Sequence, residues 1–162
     1  MIQAYLYRSE ADLEHLIKAG ASVRLVKGAY LEPPSVAFED KADVDRNYVH
    51  LAELLLAGGN FPGLGTHDTA MIDAAVHFAQ SHGVPPGRYE FQMLFGIRRD
   101  LQVELVRSGY NMRVYVPFGT HWYPYLMRRL AERPANMMFV LGNLGREVVG
   151  NRKSGRISAV LS

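Results

Sequence analysis

The chain has no cysteine among its 162 residues, which excludes disulfides and thiolate-bound metals as sources of stability or chemistry. The absence says nothing of compartment, because a chain in a reducing environment needs no cysteine either. Charge of one sign is also lacking: 18 lysines and arginines stand against 16 aspartates and glutamates, a formal net charge of +2. So small an excess gives no electrostatic basis for nucleic acid or an anionic membrane surface as the main partner. No apolar run approaches the roughly 20 residues that a spanning helix needs. The opening Met1-Ile2-Gln3-Ala4-Tyr5-Leu6 has neither a charged n-region nor a small-residue cleavage site, so it does not read as a signal peptide. Neither GxGxxG nor a Walker loop occurs, and any phosphate would have to be held by side chains and strand-end amides.

What is present is ordinary globular material, 48% hydrophobic and 21% charged, in a length that suits one domain. The chain starts inside an apolar stretch, Ile2–Tyr7, with no polar lead-in; this suggests that structure upstream is missing. Ser9 reads as an N-cap with Asp12 at the third helical position, Leu13, Leu16 and Ile17 recur at helical spacing, and Gly20 closes the helix. Val23–Tyr30 reads as a strand and Leu31–Asp45 as a proline- and acid-rich loop. Asn47–Ala57 then reads as a helix stopped by Gly58-Gly59-Asn60. The alternation goes on. Strand Gly63–Thr66 precedes a helix over Met71–His82 capped by Asp68 or Thr69, and the Gly83–Gly87 segment breaks it. Strand Tyr89–Leu94, helix Asp100–Ser108, strand Met112–Val116 and helices Trp122–Glu132 and Ala135–Leu144 complete the order. A folded region over 1–144 and a polar, basic tail over 145–162 follow from this.

Alternating strands and helices, with strands such as VRLVKGAY and YEFQML more uniformly apolar than a half-exposed strand, predict an α/β fold with a covered parallel sheet. An open doubly wound sheet and part of a (βα)8 barrel both fit. In either, function concentrates at the C-terminal ends of the strands, where polar residues cluster: Gln3, Arg24, Lys27, Thr66, His67, Asp68, Glu90, Gln92 and Tyr115. Arg24 and Lys27 lie three apart and would point to opposite faces unless the strand ends or bulges between them. One of them in a structural ion pair is the plain explanation; an anion or cofactor site at the strand end is the functional one. Thr66-His67-Asp68 has no serine or second ligand at useful spacing, so a hydrogen-bonded structural pair outweighs a triad or metal site. His15, His50, His77 and His82 fall on helices and read as solvated or satisfied histidines. In the aromatic helix around Trp122, Tyr123 and Tyr125, the adjacent Arg128 and Arg129 can converge on one carboxylate. A basic helix end offsetting the macrodipole explains the arginines but not the tyrosines.

Four segments, VRLVKGAY (Val23–Tyr30), GTHD (Gly65–Asp68), YEFQMLFG (Tyr89–Gly96) and RVYVPFGTHWYPYLMRRLAERPAN (Arg113–Asn136), resemble the motif set of proline dehydrogenases in the family's order. The resemblance runs from about Ile2 to Leu144. It implies strands four to eight of a distorted (βα)8 TIM barrel, an α/β fold with FAD bound noncovalently at the strand ends. It implies oxidation of L-proline to Δ1-pyrroline-5-carboxylate by hydride transfer from C5 to flavin N5, in proline catabolism, with a quinone-type electron acceptor. The expected location is cytoplasmic, peripheral at the inner membrane face. By the same resemblance Arg24 is the catalytic cation beside the flavin. Gln3, Lys27, Gly28, Ala29, Thr66 and His67 contact the cofactor; Arg128 and Arg129 clamp the proline carboxylate; Tyr115, Tyr125 and Leu94 wall the pyrrolidine ring. Glu132 holds Arg128 by an i,i+4 pair. No metal is implied.

The resemblance further implies that the family's first three strands, with a lysine and an aspartate that complete the sites, lie outside this sequence. Five units leave two raw sheet edges, so activity is expected to need an N-terminal half, and homo-oligomerisation is an expected substitute. Two other readings stand beside it: a non-catalytic fragment or partner-binding remnant, and an unrelated open α/β binding domain, which leaves the aromatic–arginine helix without a reason.

Overall fold

The computed structural model describes residues 1–28, 32–116 and 119. In chain order these form β1 (Ile2–Gln3), α1 (Ser9–Lys18), β2 (Arg24–Val26), α2 (Lys41–Gly58), β3 (Gly63–Gly65), α3 (Thr69–Ser81), a 3-10 turn (Pro86–Arg88), β4 (Glu90–Leu94), α4 (Arg99–Arg107) and β5 (Asn111–Tyr115). All neighbouring strands pair in parallel, in the spatial order β1-β2-β3-β4-β5. A doubly wound sheet reverses its strand order where the crossovers change sides, whereas a (βα) barrel adds each strand to the same edge. The unbroken order decides between the two architectures that periodicity left open. This is a run of barrel-type βα units.

One row of side chains shows how the sheet is held. Ile2, Leu25, Leu64, Phe91 and Met112 stand side by side across the five strands in register, and all belong to the hydrophobic core or pack against it. Helix α2 supplies Tyr48, Leu51, Ala52 and Leu55 to that core, and α3 supplies Ile72, Ala75 and Ala79. These are the i, i+3, i+4, i+7 positions of a core-facing stripe. Because side chains alternate along a strand, the residues on either side of the row face the opposite way, toward the barrel interior.

Several local expectations need correction. Ser9 is not the N-cap of α1; Arg8 holds that position without a side-chain cap, and the buried Ser9 hydroxyl donates to the Gln3 carbonyl at 2.5 Å. The strand carbonyl is a better-placed acceptor than the helix's first amides are donors. Strands β1 and β2 are shorter than the apolar runs that suggested them. Ala4 and Tyr5 still bond Val26 and Lys27 carbonyls, but Tyr5 then turns out to receive the Phe38 amide at 2.8 Å. The supposed loop through Asp45 gives way to helix at Lys41, where the Asp40 carboxylate caps the Ala42 amide at 2.9 Å. The dense charge of Lys41–Arg46 hid that first turn from a hydrophobic-periodicity reading. The expected helices over Trp122–Glu132 and Ala135–Leu144, and the tail after them, lie outside the described residues.

Candidate active site at the strand ends

The interior face is built around glycine. Strand β3 reads Gly63-Leu64-Gly65, so Leu64 enters the core while both interior positions carry no side chain. A Cβ on Gly63 would sit 2.3 Å from Gln92 Nε2, and one on Gly65 would sit 2.9 Å from Val26 Cγ1 and 3.4 Å from Arg24 Nε. The floor left by β3 is therefore covered by long polar side chains from the strands on either side. From β4, Gln92 donates to Glu90 Oε1 at 2.6 Å, and Arg113 of β5 pairs with the same oxygen at 2.6 Å. Glu90 is only 7% exposed, and these two donors are what let a carboxylate stay there.

Arg24, at the start of β2, reaches across this floor. Its guanidinium carbon lies 5.8 Å from the ring centre of Tyr115 at the end of β5, within cation–π range. Its Nε is buried and has no hydrogen-bond partner among the described residues. A buried donor left without an acceptor is costly, so this face is shaped for an acceptor that the described residues do not themselves provide.

Lys27 is placed differently. Strand β2 ends at Val26, so the alternation rule no longer governs Lys27, and its ammonium lies between Asp45 Oδ1 of α2 at 2.5 Å and Asp68 Oδ2 at 2.7 Å. Lys41 pairs with the other Asp45 oxygen. Burial raises the Asp45 carboxyl, but hydrogen bonds and charge from Lys27 and Lys41 outweigh it and hold the group below the usual carboxylate range. Burial acts on Asp68 in the same way and is again outweighed, by Lys27 and by the Ala70 amide that the carboxylate caps at the start of α3. Gly28 follows with φ +106°, and a Cβ there would lie 2.0 Å from Tyr5 Cδ1. Both the backbone and the Tyr5 ring demand glycine.

The β3 end is ordered by its own side chains. The Thr66 hydroxyl is buried and accepts from the Asp68 amide at 3.1 Å. His67 Nε2 accepts from the Leu94 amide at 2.8 Å, which places the neutral ring's proton on Nδ1. Burial, with the charges of Arg98 and Arg24, depresses His67 to about 4. Leu94 closes β4 in register with Tyr115, and the Phe95 amide bonds the Tyr115 carbonyl at 2.9 Å.

The structure thus brings together Arg24, Tyr115, Leu94, Thr66, His67 and Lys27 at one end of the sheet, with Gln3 in register with Val26 on the neighbouring strand. Ala29, Tyr125, Arg128, Arg129 and Glu132 lie outside the described residues. Among the described residues, no group of three or more His, Asp or Glu could hold a metal ion, and no helix is long and apolar enough to cross a membrane.

The Proline dehydrogenase family model matches residues 1–141. The chain belongs to the proline dehydrogenase family. It is 50% identical over 139 residues to Proline dehydrogenase 2 of Bacillus subtilis strain 168, covering 86% of this chain and 46% of that protein. With Proline dehydrogenase of Deinococcus radiodurans the figure is 50% over 141 residues, 87% of this chain and 46% of that one. The chain therefore spans about half the length of these relatives. Among solved structures, proline utilization A from Bdellovibrio bacteriovorus inactivated by N-propargylglycine superposes with a TM-score of 0.73 at 34% identity, over 80% of this chain and 16% of that one. These neighbours carry the TIM-barrel type of fold, in agreement with the strand order.

Within that family frame, some residues of the site escaped the sequence reading. Asp45 was placed in a loop, so its pairing with Lys27 had no visible basis. Arg98 caps α4 from the left-handed conformation, φ 51°, and its Nη1 donates to Thr69 Oγ1 at 3.4 Å. The signal for it was the Gly96-Ile97-Arg98 run directly after a strand end. Tyr48 was an ordinary helix residue in sequence. Its ring is fully buried in α2, its hydroxyl has no partner among the described residues, and burial raises its pKa.

Proposed function

We propose that this chain carries the flavin-facing half of a proline-oxidising site, acting in proline catabolism to convert L-proline to Δ1-pyrroline-5-carboxylate. The reading rests on family membership, and the observation that carries it to a cofactor is the buried Nε of Arg24 beside Gly65 of β3, which has no hydrogen-bond partner among the described residues. A planar ring bearing carbonyl oxygens and ring nitrogens is rich in the acceptors that the Arg24 donor calls for. Bound FAD would supply a two-electron acceptor for the hydride leaving proline C5.

The chain's own residues have definable work in that reaction. Arg24 holds a fixed cation where reduction adds negative charge, a preorganised stabilisation that needs no rearrangement. Gln3, Lys27, Gly28, Ala29, Thr66 and His67 hold the cofactor. Lys27 does so from a position fixed by Asp45 and Asp68, which keeps one elongated side chain from sampling alternatives. Arg128 and Arg129 orient the proline carboxylate, while Leu94, Tyr115 and Tyr125 exclude water from the ring. A quinone-type acceptor, and a cytoplasmic place at the inner membrane face, belong to the same proposal.

Among the described residues β1 and β5 do not pair with each other, and Val114, Tyr115 and Val116 are exposed. This supports a requirement for further βα units, supplied by an N-terminal half or a second copy. It also supports the alternative of a partner-binding remnant without catalysis. Arg24→Met separates them. In the chain combined with a proline dehydrogenase N-terminal half and FAD, the substitution should lower kcat by about 100-fold or more, the range for losing one charge-stabilising donor. Indifference of turnover to Arg24→Met would count against the catalytic reading.

A further inference from the structure

The acceptor of the Leu94 amide is out of place for a parallel sheet. In register, Gly63 faces Glu90 and Gly65 faces Gln92, and the Glu90 amide bonds the Pro62 carbonyl at 3.0 Å. Amides two and four residues further along point to the same neighbour, so continuation of the ladder would give the Leu94 amide to the Thr66 carbonyl. It goes instead to His67 Nε2 at 2.8 Å. The imidazole replaces a backbone carbonyl at the point where β3 stops and its chain turns toward the Asp68 cap of α3.

We infer that His67 is a positioning residue for the substrate wall: its ring ties the end of β3 to the end of β4 and so sets the height of Leu94 and Tyr115. The inference rests on the proposed proline-oxidising function for its consequence, though not for its geometry. The tie passes onward through backbone and ring contacts. Leu94 is in register with Tyr115, Phe95 bonds the Tyr115 carbonyl at 2.9 Å, and the Tyr115 ring lies 5.8 Å from the Arg24 guanidinium. A ring that must accept a hydrogen bond has to stay neutral, and the burial that depresses His67 to about 4 keeps it so. Thus one side chain in the cofactor-side turn governs where the two pocket residues of the neighbouring strands stand.

The test compares His67→Ala with His67→Gln, whose Oε1 restores an acceptor at similar reach. In the full chain, backbone amide exchange is followed at Leu94, with Leu64 of β3 as a control for the sheet. Loss of one hydrogen bond should speed exchange at Leu94 by about tenfold in His67→Ala, leave Leu64 slow, and be largely reversed in His67→Gln. In the chain combined with a proline dehydrogenase N-terminal half and FAD, KM for L-proline should rise by about tenfold in His67→Ala, by a larger factor than kcat or flavin occupancy falls, with partial rescue by glutamine. Unchanged exchange at Leu94, or equal acceleration at Leu64, overturns the tie. Loss of flavin with an unchanged KM in the loaded fraction overturns the positioning role and leaves His67 a cofactor contact. If the unsubstituted protein fails to oxidise proline, the functional proposal falls, while the exchange data still judge the tie.

Discussion

Arg24, Lys27 and His67 show three ways of keeping a polar side chain beside a hydrophobic sheet. Lys27 is neutralised by two carboxylates, His67 gives up its charge, and Arg24 keeps a donor without a partner among the described residues. Their consequences differ with pH. His67 titrates near 4 when folded against an ordinary 6.5, so between those values the unfolded chain binds the extra proton. Stability therefore falls as pH drops from about 6.5 toward 4, by roughly 3 kcal/mol from this residue, and His67 contributes no further loss below that. Asp45 and Asp68, held low, act in the same direction in the next window down: their contribution is present above the ordinary carboxylate value of 3.8 and is lost as pH falls beneath it. Denaturant midpoints of the chain and of His67→Gln at pH 7 and 4.5 check the histidine part, and the difference between the two proteins should move in favour of the glutamine at 4.5. Tyr48 offers a separate check. Tyr48→Phe keeps the buried ring and removes a hydroxyl that has no partner among the described residues, so stability should stay level or rise by about 1 kcal/mol. Tyr48→Ala should cost about 3–5 kcal/mol, read as melting-temperature shifts.

At the level of elements, caps and glycines carry the arrangement. Asp40 and Asp68 each accept a first-turn amide, at 2.9 and 3.1 Å, but only Asp68 also holds Lys27. Asp40→Ala should cost about 1 kcal/mol of stability, and Asp68→Ala measurably more, in the same denaturation experiment. Gly65→Ala puts a methyl group 3.0 Å from the Leu25 carbonyl oxygen and 2.9 Å from Val26; neither neighbour is free to swing away. It should destabilise the sheet by about 1–3 kcal/mol and weaken flavin binding. Much at this scale was legible. The Asp68 cap, the breaks at Gly58-Gly59 and Gly83–Gly87, and the strand positions followed from residue type and period. What could not be read was where strands stop. Lys27 lies beyond β2 with its ammonium between two carboxylates from other elements, and Leu94 bonds a histidine; neither changes the hydrophobic pattern. Asp45 was missed for a different cause: four of the six residues Lys41–Arg46 are charged, which masks the first turn of the helix, and its partner Lys27 comes from another element.

For the whole molecule, sequence periodicity could not separate an open sheet from a barrel, since both require the same alternation. Strand order separates them, and it also exposes what a barrel segment must solve. The five strands present an interior face carrying Arg24, Gln92, Glu90, Arg113 and Tyr115, with the β1 and β5 edges unpaired with each other among the described residues. The curated relatives are about twice as long as the matched region, which covers 46% of Proline dehydrogenase 2 of Bacillus subtilis. The chain alone is accordingly expected to bind FAD weakly and to associate, and flavin affinity should rise when an N-terminal half is supplied in trans. Equilibrium dialysis against FAD, with and without that half, checks this. The most direct measurement is the absorbance of the combined, FAD-loaded protein titrated anaerobically with L-proline. The bound flavin should bleach, with Arg24→Met slowing the bleaching by about 100-fold. Bound flavin that stays oxidised in excess L-proline would contradict proline oxidation at this site.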